Sequence, residues 1–145
     1  MNINFNNISK LDARKDRSIT YPLYQLDGEA SVLLLPAAES NKRYFNALLR
    51  QSRQNMRAVQ NKQVNAGVIQ NNRNQDRALY AEHVITSWEG IVDADGTVVP
   101  FTKEACLDFL TALPDWIFDE IRTFASDIRN FIEYQIDSEE VAKNS

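Results

Sequence analysis

The sequence predicts an α+β fold, mainly α, with a small N-terminal β-hairpin followed by a helical body and a short second hairpin near 91–99. Three observations carry that expectation. Two runs rich in β-branched and aromatic residues flank Asp27-Gly28, a tight-turn pair. Downstream of Ser40, apolar residues recur at three- and four-residue steps over several stretches. Glycine and proline number four each, too few turn formers for a sandwich of many short strands.

The first strand is expected within 18–26, where Pro22 restricts it to a sheet edge or a bulge. The second is expected over 29–35, ended by Pro36. Ser40 is a plausible N-cap for a helix beginning at Asn41, with Tyr44, Phe45, Leu48 and Leu49 on one face. Residues 50–77 are rich in Gln, Asn and Arg. A weakly amphipathic helix, a break near Gly67 and a mobile linker all fit them. A strong helix is expected from Asp76, with Leu79, Ala81, Val84, Ile85 and Trp88 along one face and Gly90 as its C-terminal cap. Asp93-Ala94-Asp95-Gly96, between two apolar pairs, reads as a hairpin turn. Thr102 caps the next helix, whose buried candidates are Ala105, Cys106, Phe109 and Leu110. Pro114 opens a last helix of about 22 residues, roughly 33 Å long. Its stripe is Ile117, Ile121, Phe124, Ile128, Phe131 and Gln135.

A length of 145 residues suits a single domain over 1–145, with 1–17 and 137–145 expected to be flexible. The start of the chain lacks the apolar stretch of a secretory signal, and no run approaches the ~20 apolar residues of a membrane span. The expectation is a soluble, cytoplasmic protein. Charge is unevenly placed: residues 41–80 hold eight basic residues against Asp76, whereas 81–145 hold four against fourteen acidic ones. Such asymmetry fits a polyanion-binding arm, a solvated polar face, or attraction between the two halves within one molecule or between copies.

The chemistry-bearing residues exclude most enzyme classes. Cys106 and His83 are the only residues of their kinds, and nothing near either marks a nucleophile–base pair. There is no glycine-rich phosphate loop, His/Cys metal cluster or nucleophile elbow. Asp93-Ala94-Asp95-Gly96 resembles the opening of a calcium loop, but its glycine falls at the fourth position instead of the sixth. The expectation is no enzyme, no metal and no cofactor. Basic segment 42–77 keeps a nucleic-acid adaptor open as an alternative, although it lacks a reading motif and the whole chain is acidic.

The order of pieces resembles a known family. Leu35-Pro36-Ala37-Ala38 leads to Asn41-Lys42-Arg43-Tyr44, then to Ile85-Thr86-Ser87-Trp88-Glu89-Gly90-Ile91 and Asp95-Gly96-Thr97-Val98-Val99-Pro100-Phe101-Thr102. Leu113-Pro114-Asp115 and Ala125-Ser126-Asp127 follow, with Asn130-Phe131. This is similar to the tail assembly chaperones of long-tailed bacteriophages, loosely over 18–132 and well over 84–131. The resemblance implies a non-enzymatic protein of the host cytoplasm that binds the helical, aggregation-prone tape measure protein. Such a protein promotes tail tube assembly, self-associates and is absent from the finished virion. The tail tube protein is a further possible partner, and a structural minor tail protein is the competing reading. Many members are made in two lengths by a −1 frameshift. Ala142-Lys143-Asn144 can be encoded with a slippery A-AAA-AAC, which motivates reading this chain as the short product of a frameshifted gene; codons that cannot slip would exclude it at this site. An amphipathic client needs apolar contacts, which makes Trp88, Phe101, Trp116, Phe118, Phe124 and Phe131 the candidate partner residues. Arg50, Arg53 and Arg57 against Asp115, Asp119 and Glu120 are the candidates for self-association by charge. Trp88 and Phe101 are placed to pack on each other and fix a corner between helices.

Overall fold

The computed structural model describes residues 4–6, 8, 18–61 and 66–132, excluding the side chains of 55, 57–61, 66 and 68. The expected flexible end 137–145 and most of 1–17 lie outside the described residues. Elements run β1 (Ile19–Pro22), β2 (Ser31–Leu34), α1 (Lys42–Asn61), α2 (Ala66–His83), β3 (Ile85–Glu89), α3 (Lys103–Ala112) and α4 (Asp115–Ser126), then a 3-10 turn over Ile128–Phe131. The fold is α+β and mainly α. Among the described residues no helix is long and apolar enough to cross a membrane.

The three strands form one antiparallel sheet in the order β1-β2-β3. Pro22 lies on the edge strand β1, where its missing N–H costs no ladder bond. Tyr21, Val32 and Trp88 pair directly across the sheet, as do Ile19, Leu34 and Ile85, so one face is apolar. Asp27-Gly28 does not make a two-residue hairpin turn. The ladder closes at Leu23 N–H to Ala30 O, 2.9 Å, and a wider loop carries Tyr24 and Gln25 out over the helices.

A strand over Ile85–Glu89 replaces the expected continuation of the Asp76 helix. Steps of three and four from Ala81 to Trp88 fit a helix, yet Ile85, Thr86 and Trp88 are all good strand formers. The free edge of β2 decides between the two. Leu33 pairs with Ser87 and Leu34 with Ile85, which leaves Thr86 as a bulge residue. Gly90 consequently ends a strand, not a helix.

Gly90 has φ +77°, and a Cβ there would sit 2.6 Å from the carbonyl oxygen of Glu29. Gly96 has φ +80° with open space around it. Gly90→Ala is therefore expected to cost about 2–4 kcal/mol, left-handed strain plus a backbone clash, and Gly96→Ala only about 1 kcal/mol. Urea denaturation of the two variants checks the difference; equal losses would remove the close-approach argument.

Segment 50–77 is helical where described. Gly67 is the second residue of α2, and residues 62–65, between α1 and α2, lie outside the described residues. Asn41, not Ser40, caps α1: its Oδ1 accepts from Tyr44 N–H at 3.4 Å, while its Nδ2 donates to His83 O at 2.9 Å. One buried side chain thus joins the start of α1 to the end of α2. Thr102 Oγ1 accepts from Ala105 N–H at 2.9 Å, the expected cap of α3.

The last helix is shorter than its stripe suggested. At Asp127 the backbone leaves helical geometry (φ −88°, ψ 102°), and its carboxylate accepts from Arg129 N–H instead. Asn130 Nδ2 donates to Phe124 O, 2.9 Å, reinforcing the longer bond that the same carbonyl accepts from Asp127 N–H at 3.3 Å. The break turns Phe131 back onto Phe124 at 6.1 Å and leaves Ile128 exposed; Gln135 lies outside the described residues.

Candidate functional site

Two features of the helical body bear on function: a set of ion pairs joining α2 to α4, and a groove beside α4. In the first, Arg73 bonds Asp115 and Asp119 at 3.3 and 3.2 Å, and Arg77 bonds Asp115 at 2.8 Å. Arg122 bonds Asp76 at 2.8 Å and also Asp119. Phe118 lies buried beneath, with the guanidinium carbons of Arg77 and Arg122 at 4.8 and 5.3 Å from its ring centre. The attraction between the basic and acidic halves is thus realised within one molecule for Asp115 and Asp119. Both carboxylates are paired within the molecule, with side chains 46% and 39% exposed.

The groove has a volume of about 550 Å³ and runs between α4 and the β1–β2 loop. Tyr21, Tyr24 and Phe124 form its aromatic walls; Asp119, Glu120, Thr123, Asp127 and Asn130 complete it. Ring centres of Tyr21 and Phe124 are 4.9 Å apart, and those of Tyr21 and Tyr24 are 6.3 Å apart. Tyr24 Oη donates to Glu120 Oε2. Gln25 Nε2 donates to the same oxygen at 2.6 Å and to Tyr21 Oη at 2.8 Å. Asp127 is bridged by its neighbour Arg129 at 2.8 Å. Trp116 is 56% exposed, one helical turn before Glu120 on the same side of α4.

The six apolar candidates divide by burial. Phe118 and Phe131 have no exposed surface, and Trp88 is 8% exposed, so these are core residues out of reach of a partner. Phe101 packs edge-on against Trp88 at 5.2 Å, the expected contact, although Trp88 comes from a strand. Phe124 lines the groove, and Trp116 lies beside it. Of the charged candidates, Arg50 and Arg53 line a separate basic cleft with Arg43, Asn46, Leu49 and His83. The side chain of Arg57 lies outside the described residues. Glu120 belongs to the groove.

The groove residues missed in the sequence are Tyr21, Tyr24, Thr123, Asp127 and Asn130, together with Gln25, which bonds Tyr21 and Glu120. The one available signal was Tyr24, a large aromatic at an outward position of the alternation set by Tyr21 and Leu23. Because Arg73 and Arg77 are engaged by acids, segment 42–77 offers a polyanion fewer cations than its composition suggests. Cys106 is buried, and burial pushes its thiol up to about 12, which removes the thiolate a nucleophile needs. Asp93 Oδ1 accepts from the N–H groups of Asp95 and Thr97 at 2.9 and 3.0 Å, building the turn. Among the described residues no group of three His, Cys, Asp or Glu side chains could hold a metal ion.

Electrostatics make the α2–α4 contact sensitive to acid. The Arg77 hydrogen bond holds the Asp115 carboxyl below its usual value. Burial alone would raise Asp119, but hydrogen bonds from Arg122 and Arg73 outweigh it and lower its value. Depressed folded-state values mean stability that is complete above the unfolded carboxylate range, near pH 4, and lost as pH falls through the folded values. Melting temperature is expected to hold between about pH 7 and 5 and to fall below about pH 4. Asp119→Asn is expected to flatten that fall; an unchanged acid limb would place the sensitivity elsewhere.

A family model described as YdaY prophage protein matches residues 39–144. The chain belongs to the YdaY prophage protein family. It is therefore phage-derived. No curated protein and no solved structure matched it. The match takes in every helix and β3, whereas β1 and β2 precede it. The α4 wall of the groove is thus within the family match, and Tyr21 and Tyr24 lie before it.

Proposed function

We propose that this prophage protein is a tail assembly chaperone that binds the tape measure protein and promotes tail tube assembly without catalysing a reaction. The observation that carries the reading is the open aromatic groove on α4 with Trp116 exposed beside it. Recognition of a helical client calls for apolar contacts along a groove. Phage origin and the ordered match to the chaperones' Trp-Glu-Gly and Asp-Gly-x-x-Val-Pro-Phe segments support the same reading. On this proposal the protein acts in the host cytoplasm, associates with further copies and with the tail tube protein, and leaves before the virion is complete.

Coexpression tests it. On this proposal the gene neighbours a long, helix-rich tape measure reading frame, whose product expressed alone is expected to be largely insoluble. With this chain it is expected to become soluble and to copurify. An unchanged soluble fraction with no copurification would sink the proposal. Abundant copies of this chain in purified particles, read by mass spectrometry, would make it a structural minor tail protein instead.

A further inference from the structure

Glu120 differs from the other carboxylates around α4. Asp115 and Asp119 face guanidinium groups of α2 and α4, and Asp127 faces Arg129. Glu120 receives only neutral donors, the Tyr24 hydroxyl and the Gln25 amide. These bonds fix the carboxylate at the groove and hold its value low without cancelling its charge. Gln25 engages Nε2 with Tyr21 Oη and Glu120, while its Oε1 is buried with no partner among the described residues. The orphan acceptor is therefore close to the uncancelled charge. Tyr21, Tyr24 and Phe124 surround this point with aromatic rings, and the Tyr24 side is open, that residue being 68% exposed. A fixed negative charge among aromatic walls selects a cation with some apolar character.

We infer that the α4 groove receives an arginine or lysine side chain projecting from an amphipathic helix of a client polypeptide, with the cation at Glu120 between Tyr24 and Phe124. Helix α4 from Trp116 to Ser126 spans nearly three turns, about 15 Å. That is longer than a small cation needs, and it matches three turns of a helix laid along it. Trp116 then meets an apolar residue of the same helix one turn from the cation. The identity of the client rests on the chaperone reading, whereas the chemistry of the groove does not.

The test uses the full chain and three labelled 21-residue peptides with the same helical Leu/Ala/Ser sequence and Arg, Gln or Glu at the central position. Fluorescence anisotropy is expected to show the Arg peptide binding about tenfold tighter than the Gln peptide, with the Glu peptide weakest. In Glu120→Gln, which keeps a partner for Tyr24, the Arg and Gln peptides are expected to agree within about twofold. Tyr24→Ala removes an exposed ring and gives a second readout should Glu120→Gln fold poorly; it too is expected to lower the Arg preference. Equal binding of Arg and Gln peptides to the wild-type chain overturns the inference, as does an Arg preference that survives both substitutions. It is also overturned if Glu120→Gln reduces sedimentation of the chain alone and leaves the peptide preference intact, because the groove would then hold a second copy. The two readings fail separately. A chain that solubilises the tape measure protein without any Arg preference keeps the function and loses the groove. A chain with the preference but no effect on the tape measure protein does the reverse.

Discussion

Arg77→Ala is expected to lower unfolding free energy by about 2–4 kcal/mol, because it strips the donor from two carbonyls and removes a buried side chain, whereas its partner Asp115 is 46% exposed and adds little. Arg77 is 3% exposed, and its guanidinium joins three elements. Nε donates to Leu110 O at 2.8 Å and a terminal nitrogen to Leu113 O at 3.1 Å, carbonyls at the end of α3 that have no partner further along that helix. The same nitrogen bonds Asp115 at 2.8 Å in the first turn of α4, and the other bonds Asn74 at 3.1 Å. One cation therefore satisfies the negative end of α3 and holds it to the beginning of α4. Alanine leaves both carbonyls without a donor and opens a void above Phe118. Arg77→Lys is expected to recover only part of the loss, because an ammonium lacks the planar fork that reaches both carbonyls and Asp115. The exposed Lys103–Glu82 pair, at 3.1 Å, is the control: Lys103→Ala is expected to change stability by at most about 1 kcal/mol. Urea midpoints at constant slope measure all three. An Arg77→Met variant as stable as the wild type would show that packing, not the bonds, sets the value of this position.

Local chemistry was legible in the sequence and long-range chemistry was not. Thr102 as a cap, the Asp93–Gly96 turn and the Trp88–Phe101 contact each depend on residues close in the chain. The third strand depends on the edge of β2, more than fifty residues away, and Ile85 to Trp88 satisfy a helical spacing equally well. The end of α4 is set by Asp127 and Asn130 competing for backbone groups, which an apolar stripe does not register. Burial of Arg77 could have been suspected, since it lies three residues before Tyr80 on an apolar face. Its partners on α3 could not. The groove is the hardest case: Tyr24 and Glu120 are 96 residues apart, and neither is unusual alone.

Trp88→Ala and Trp116→Ala should behave oppositely although they delete the same side chain. Trp88 is 8% exposed, donates Nε1–H to Val99 O at 2.8 Å, and meets Phe101 and Phe109 edge-on at 5.2 and 5.7 Å. It links the sheet to the segment leading into α3, so its loss empties the corner and leaves the Val99 carbonyl without its donor. A cost of about 3–5 kcal/mol is expected, the aromatic pairs included. Trp88→Phe keeps a ring but not the N–H and is expected to cost about 1–3 kcal/mol. Trp116 has no hydrogen bond among the described residues, and its replacement is expected to change stability by at most about 0.5 kcal/mol while weakening peptide binding at the groove. Intrinsic fluorescence separates the two. Trp88→Ala should leave only the red-shifted emission of an exposed indole, and Trp116→Ala only the blue-shifted emission of a buried one. If Trp116→Ala unfolds the chain as readily as Trp88→Ala, Trp116 is holding α4 in place. The exposed face would then be part of the scaffold, and the client would have to dock elsewhere.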